Sequence, residues 1–163
     1  RAAAHRFMED FGGLGLMRLE RRFPGAREQR VVDYVPECAA HGGWSGVTFE
    51  NLLDMSSGHW TSAAAHADED SVAMSKEFFD EPRHAGKIAY ACGHSPRRET
   101  AGRTFVYRTS DTYVLGTALT AFVRRRIGPQ ADLLDDVAWQ DVWRVPRRCT
   151  TALRRLWPGA AAG

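Results

Sequence analysis

Apolar residues recur at helical spacing in several segments of this chain, separated by glycine, proline and polar stretches. The first segment covers residues 7–22, where Phe7, Phe11 and Leu14 form an i, i+4, i+7 stripe that predicts a helix ending before Pro24-Gly25. Three glycines interrupt this segment, and each weakens a helix by up to ~1 kcal/mol relative to alanine. We therefore expect another element to pack closely against this part of the helix.

The second helical segment has the clearest start signal. Thr48 is a good N-cap, Glu50 places a negative charge in the first turn, and apolar residues follow until the chain reaches the stop Ser56-Ser57-Gly58. The stretch before it, residues 31–36, is predicted to be extended, because Pro36 disfavours the helical conformation at Val35.

A third strong helix is predicted to be capped by Ser110 or Asp111 and to run to Ile127, with Leu115, Leu119 and Phe122 on its buried face. Residues 71–80 and 84–92 are weaker helical segments, and a further helix is predicted over about 131–143. The sequence shows no repeat and no strand ladder, so a mainly α fold is expected.

Two blocks of the chain resemble a known family. The first, Asp33 to Gly58 (DYVPE…WSGVTFENLLDMSSG), fits the form G-V-T-x-x-x-L-L-x-M-x-S-G from Gly46 onward. The second, Phe105 to Gly116 (FVYRTSDTYVLG), fits a Tyr-x-Asn or Tyr-x-Ser motif followed by a helix. In this order they resemble the middle of the serine β-lactamase and penicillin-binding-protein superfamily. The similarity is greatest to the class C β-lactamase-like branch, which includes esterases and 6-aminohexanoate-dimer hydrolases, and it covers about residues 31–143.

The resemblance implies a fold as well. Residues 1–143 would be a partial domain equivalent to the helical subdomain of the β-lactamase/transpeptidase-like fold, lacking most or all of the flanking antiparallel sheet. Residues 144–163 form an Arg/Ala/Gly-rich tail whose composition is compatible with disorder. Apolar helix faces that a sheet would cover are then exposed, and self-association through such a face is one expected consequence.

In the family, a serine of a Ser-x-x-Lys motif attacks an amide or ester carbonyl and forms an acyl-serine. The resemblance places Tyr107 in the proton-shuttle position and Thr109 in the position that contacts the substrate. This chain contains no Ser-x-x-Lys and no Lys-Thr-Gly-like motif. Alignment of Phe11 and Gly13 with the family's nucleophile helix puts Arg6 at the serine position and Glu9 at the lysine position.

The expected function is therefore a fragment or degenerate member of the β-lactamase-related serine hydrolases that is inactive as this chain. Its intact relatives act on small-molecule amides or esters. A non-catalytic binding or protein-interaction module derived from that fold is the alternative. In this chain taken alone, Tyr107 is better explained as a buried aromatic residue near a helix start whose hydroxyl is hydrogen-bonded.

Other groups of residues give weaker indications of a functional site. A metal could be held by His59, His66, Asp68, Glu69 and Asp70, but the spacing matches no known metal motif, and acids in a polar loop are usually solvated. A triad of Ser57, His59 and Asp111 lacks the G-x-S-x-G elbow. A net charge of +2, and tail arginines without interleaved aromatic residues, argue against nucleic acid. No metal, cofactor, nucleic-acid or membrane partner is expected.

The three cysteines, Cys38, Cys92 and Cys149, have wide and unrelated spacings. One disulfide with a leftover thiol and three reduced cysteines both remain open, and the second is favoured. No signal peptide precedes residue 7, which favours the cytoplasm. Because residue 1 is Arg, the chain is expected to begin inside a longer reading frame.

Overall fold

The computed structural model of the chain is mainly helical, as the sequence predicts. It describes residues 2–61, 74–133 and 136–137, with the backbone alone for residues 2–11 and 74–76. The described α-helices are α1 (Ala2–Arg22), α2 (Pro36–Ala39), α3 (Phe49–Leu53), α4 (His84–Gly93) and α5 (Thr109–Arg126). Short 3₁₀ turns cover Val31–Asp33 and Gly42–Trp44, and Met74–Phe79 is π-helical. No strands pair into a sheet among these residues, where Arg30 with Thr48 and His59 with Arg97 form isolated bridges.

Helix α5 is the centre of the fold, because α1, α3 and α4 all pack on it. Its residues are buried almost continuously from the first turn to Val123. The helix begins at Thr109, earlier than predicted, with Arg108 as the N-cap in an extended conformation. The predicted caps Ser110 and Asp111 lie inside the first turn, and both are buried. The predicted buried face through Leu115, Leu119 and Phe122 is confirmed.

The glycines of α1 allow this helix to lie close to its neighbours. A Cβ atom at Gly12 would contact Leu115 of α5 at 3.5 Å, and one at Gly13 would contact Leu53 of α3 at 3.4 Å. The expected close packing is therefore present. The buried apolar residues of this helix include Leu16 and Leu19.

The apolar stripe predicted for α1 is wrong at Leu14. This side chain is 36% exposed, because the helix turns its glycine side toward α5 and α3 and leaves Leu14 outside. The other two residues of that stripe, Phe7 and Phe11, have side chains outside the described part of the structure. The next exposed residue on this side is Met17, at 58%.

The extended stretch predicted for residues 31–36 is also wrong. The chain forms a 3₁₀ turn at Val31–Asp33, and α2 then begins at Pro36. Val35 does avoid the helical region, with φ −124° and ψ 87°, as expected before proline. Its role is to be the N-cap of α2, because the fixed φ of proline suits the first position of a helix.

A disulfide joins Cys38 of α2 to Cys92 of α4, which corrects the expectation of reduced cysteines. The two residues are 54 positions apart, so the pairing follows from the packing of α2 on α4 and not from any local motif. Both cysteines are buried, and the indole Nε1 of Trp44 donates to the carbonyl oxygen of Cys92 at 2.8 Å. Disulfides of this kind are typical of proteins that mature in an oxidising compartment. Cys149 lies outside the described residues, as does the tail at 144–163.

We predict that reduction of this disulfide lowers the free energy of unfolding by about 3–4 kcal/mol, because the bond closes a long loop in the unfolded chain. Urea denaturation with and without dithiothreitol measures the change. The double variant Cys38→Ala, Cys92→Ala is the control and should show no response to the reductant. A wild-type midpoint that does not move on reduction would contradict the prediction.

Candidate functional site

The two blocks that carry the family resemblance lie against each other in the structure. Four backbone hydrogen bonds join the segment after α3 to residues 98–106. Arg98 N–H and Glu99 N–H both donate to Gly58 O, at 2.8 and 3.4 Å, Gly102 N–H donates to Ser56 O at 2.7 Å, and Val106 N–H donates to Met55 O at 2.8 Å. The last of these bonds fixes Tyr107 beside the end of α3.

Local sequence explains why α3 starts and stops where it does. The hydroxyl of Thr48 accepts a hydrogen bond from the N–H of Asn51, and the side chain of Asn51 accepts one from the N–H of Thr48, which completes a capping box. The chain leaves the helix through Met55, whose φ of 48° is in the left-handed region. Gly58 follows with φ 82°, and a Cβ atom there would collide with the carbonyl oxygen of Glu99. The last glycine of the first block is therefore required by both conformation and space.

Tyr107 is half-buried and lines an open groove of about 750 Å³. The groove runs between α1, the end of α3 and the segment before α5, and its lining residues are Gly13, Leu14, Met17, Leu53, Asp54, Met55, Phe105 and Tyr107. Its volume lies in the range of small-molecule sites. Of the four large hydrophobic side chains that are exposed in the described part of the chain, three line this groove: Leu14, Met17 and Phe105.

The other predicted site residues are placed differently. Thr109 is buried in the first turn of α5 and is not among the residues that line the groove. Positions 6 and 9 belong to α1, where they precede Gly13 by seven and four residues. Their side chains lie outside the described part of the structure.

A buried ion pair lies immediately behind Tyr107. The side chains of Arg108 and Asp111 are 2% and 1% exposed, and Arg108 Nη1 donates to Asp111 Oδ1 at 3.0 Å. The same guanidinium also donates to His59 O at 2.9 Å and to Ser95 Oγ at 3.2 Å. Arg108 thus connects the first turn of α5 with the two loops that precede and follow α4.

The imidazole of His59 is stacked on the indole of Trp44, with ring centroids 4.6 Å apart and an angle of 12° between the planes. Its Nδ1 donates to Ser57 O at 3.2 Å, since a carbonyl oxygen can only accept. The ring edge at Nε2 lies so close to Gly43 that a Cβ atom there would be 2.5 Å away. Burial, and secondarily the charge of Arg108, lower the pKa of His59 to about 4.

These contacts exclude the triad considered from the sequence. The ring Nδ1 of His59 donates to the carbonyl oxygen of Ser57, while the hydroxyl of Ser57 accepts a hydrogen bond from the backbone N–H of His59 at 3.4 Å. Asp111 is paired with Arg108. In a working triad the histidine ring would instead bond to the serine hydroxyl and to the carboxylate.

The residues of the remaining candidates are only partly described. No group of three or more His, Cys, Asp or Glu side chains lies close enough to hold a metal ion in the described part of the chain. His66, Asp68, Glu69 and Asp70 lie outside the described residues, as do the tail arginines considered for nucleic acid. Among the described helices, none combines the length and the apolar character that a membrane span requires.

The second tyrosine of this block has a structural role. Tyr113 is buried on α5, and its hydroxyl is 2.8 Å from Nδ1 of His84. Burial raises the pKa of Tyr113 to about 12, so this phenol keeps its proton at neutral pH. Tyr113 is therefore a buried aromatic residue with a hydrogen-bonded hydroxyl, while Tyr107, for which the same description was considered, is half-buried.

Sequence reasoning missed the ion pair and the α1 wall of the groove. Arg108 and Asp111 are three residues apart, a spacing that brings side chains together at the start of a helix, and they stand inside an otherwise uncharged block. The sequence therefore contains a signal for the ion pair. It contains no signal for the exposure of Leu14 and Met17, because that exposure depends on which side of α1 approaches α5.

We predict that the protein loses stability as the pH falls from about 6.5 toward 4. Below pH 6.5 the unfolded chain binds a proton at His59, whereas the folded chain does so only near its lowered pKa of about 4. The loss from this group is up to about 3 kcal/mol. Urea denaturation at pH 7, 5.5 and 4.5 should give a steeper decline for wild type than for His59→Gln, and equal slopes would contradict the assignment.

We predict that Arg108→Met lowers the free energy of unfolding by about 3–5 kcal/mol, because it removes the cation that is paired with the buried carboxylate of Asp111. Combining it with Asp111→Leu should recover a large part of that loss. A double-mutant cycle by chemical denaturation measures the coupling. Strictly additive losses would show that the pair is not coupled.

No model of a protein family matches the chain, and no curated protein matches it. The family resemblance therefore rests on the motifs of the two blocks, and the function that it implies is a proposal.

Proposed function

We propose that this chain provides the helical wall of a β-lactamase-related serine hydrolase site, with Tyr107 in the proton-transfer position; Thr109, buried behind the groove, is not part of the proposed contact surface. The ligands that fit this proposal are small amides or esters. The chain itself, with no Ser-x-x-Lys in its sequence, would not turn these compounds over.

The observation that carries the proposal is the pairing of the two motif blocks. The first block ends at Gly58 and the second begins at Phe105, 47 positions later in the sequence. The Val106–Met55 hydrogen bond at 2.8 Å nevertheless brings Tyr107 to the groove. A hydrolase site needs its proton-transfer group at the edge of a cleft that a substrate can enter. Tyr107 meets this requirement, whereas Tyr113, in the same block, is buried.

The course of α1 gives independent support. The resemblance aligns position 6 with the family's serine and position 9 with its lysine, and both belong to α1, the helix that lines the groove further along at Gly13 and Met17. A nucleophile at position 6 would therefore stand on the same helix as the groove wall, seven residues before Gly13. Arg cannot attack a carbonyl and Glu cannot act as the cationic partner of the serine, so the proposed site lacks its reactive groups.

Restoring these two groups tests the proposal. We predict that the double variant Arg6→Ser, Glu9→Lys reacts with p-nitrophenyl acetate in a burst of about one p-nitrophenolate per chain, the sign of acyl-enzyme accumulation. The wild-type chain should show no burst. Stopped-flow absorbance gives the burst, and mass spectrometry should locate one acetyl group on residue 6.

Two tyrosine variants of the same block make the test specific. Adding Tyr107→Phe to the double variant should slow acylation by about 100-fold, in keeping with the loss of a proton-transfer group. Adding Tyr113→Phe should leave the rate unchanged, because that hydroxyl bonds to His84 away from the groove. A folded double variant without a burst, or a burst that ignores Tyr107→Phe, would refute the proposed site.

The alternative, a non-catalytic interaction module, has one observation in its favour. The groove exposes three large apolar side chains, and such a patch on a soluble domain is typical of a protein contact. The uncovered face lies on α1, whereas the apolar face of α5 is fully covered.

A further inference from the structure

Three aromatic rings contact one another where α1 and α5 end. The ring centroid of Phe122, in α5, lies 5.8 Å from that of Phe23, the residue that follows α1. It lies 5.6 Å from the centroid of Tyr34, which is also part of the core. Phe122 and Tyr34 are buried, and Phe23 is half-buried. The C-terminal ends of the two longest described helices therefore meet at this group of rings.

Each of these rings has the guanidinium of an arginine over its face. The distance from the guanidinium carbon to the ring centroid is 5.3 Å for Arg22 on Phe23, 5.4 Å for Arg126 on Phe122 and 4.5 Å for Arg125 on Tyr34. All three arginines are exposed. Because the rings are in contact, the three cations share one continuous surface. We call Arg22, Arg125 and Arg126 the arginine patch.

The positive charge of the arginine patch is not cancelled by its surroundings. Among the described residues, no carboxylate forms an ion pair with any of its three arginines. Arg125 Nη2 donates to the backbone carbonyl of Asp33 at 2.9 Å, but both carboxylate oxygens of Asp33 are bound by Arg30. The carboxylate of Glu20 accepts two backbone N–H groups from the turn after α1. Each helix C-terminus carries only about half a negative charge, so the patch remains cationic.

We propose that the arginine patch binds an acidic segment of another protein, in which Asp or Glu residues alternate with apolar ones. A guanidinium presents its N–H donors in a planar fork that fits a carboxylate. Stacking on a ring uses the face of the guanidinium and leaves donors at its edge for the partner. The rings also hold the three cations in place before binding, so less side-chain entropy is lost on association. This inference does not rest on the proposed hydrolase site.

An exposed apolar residue beside the patch favours a protein partner over other polyanions. Ile127 follows Arg126 directly and is 37% exposed. An apolar side chain of a protein segment can cover Ile127, whereas the phosphates of a nucleic acid cannot. The rings of Tyr34 and Phe122 are buried, so bases cannot stack on them. A membrane surface gains affinity from a larger inserted apolar area than one isoleucine provides.

Fluorescence anisotropy with a labelled peptide of four Glu-Glu-Leu repeats tests the proposal. In about 0.1 M salt, where distant charges are screened, the wild-type chain should bind this peptide. The triple variant Arg22→Gln, Arg125→Gln, Arg126→Gln should bind it at least about tenfold more weakly, because the charges that face the carboxylates are lost. No binding by the wild-type chain would overturn the proposal.

A second triple variant is the matched control. Arg97→Gln, Arg98→Gln, Arg103→Gln removes the same charge from exposed residues beside the end of α3, away from the patch. It should change the affinity by less than about twofold. Circular dichroism confirms that both triple variants are folded. An equal loss of affinity in the two would show that net charge alone attracts the peptide, and would refute the site.

Two further comparisons identify the kind of partner. A peptide of four Glu-Glu-Ser repeats has the same charge and should bind several-fold more weakly, and Ile127→Ser should remove this difference between the peptides. At equal concentrations of negative charge, a thymidine oligonucleotide and phosphatidylserine vesicles should displace the labelled peptide less effectively than its unlabelled form does. Stronger displacement by either one, or equal affinity for the two peptides, would overturn the assignment of an acidic and apolar protein segment.

Discussion

The buried guanidinium of Arg108 is the interaction on which the rest of this structure depends. Its hydrogen bonds reach Asp111 in the first turn of α5, the carbonyl of His59 after α3, and Ser95 after α4. A buried cation is costly unless its donors are occupied, so these three segments can meet in few ways. The ion pair ties the first turn of α5 to the loops after α3 and after α4, one residue beyond Tyr107.

Two further constraints act on the same region from either side. Trp44 stacks on His59 and donates to the carbonyl of Cys92, so the disulfide between α2 and α4 and the buried ion pair belong to one continuous set of contacts. On the other side, Met55 and Gly58 take left-handed conformations that let residues 98–106 run alongside. The part of the proposed site around Tyr107 is therefore assembled from loops. Each of these loops is held by a hydrogen bond or a disulfide that joins it to a segment distant in sequence.

The groove beside Tyr107 is open on the side of α1, where Leu14, Met17 and Phe105 are exposed. Tyr107 and the buried Arg108 are adjacent in sequence, so the residue proposed for proton transfer lies at the boundary between the core and this open surface.

The sequence by itself determined the presence of α1, α3, α4 and α5, the N-cap at Thr48, the need for close packing at the α1 glycines, and the two motif blocks. These features depend on local periodicity, capping and turn chemistry, which act over a few residues. Tertiary structure alone decided the Cys38–Cys92 pairing, the helical turn at Pro36, the start of α5 at Thr109, and the exposure of Leu14. Each of these depends on which faces of separate segments meet, and local spacing carries no information about that. The burial of Arg108 belongs to this second group: a charged residue in a loop is normally solvated, and only the convergence of three segments around its guanidinium allows it to enter the core.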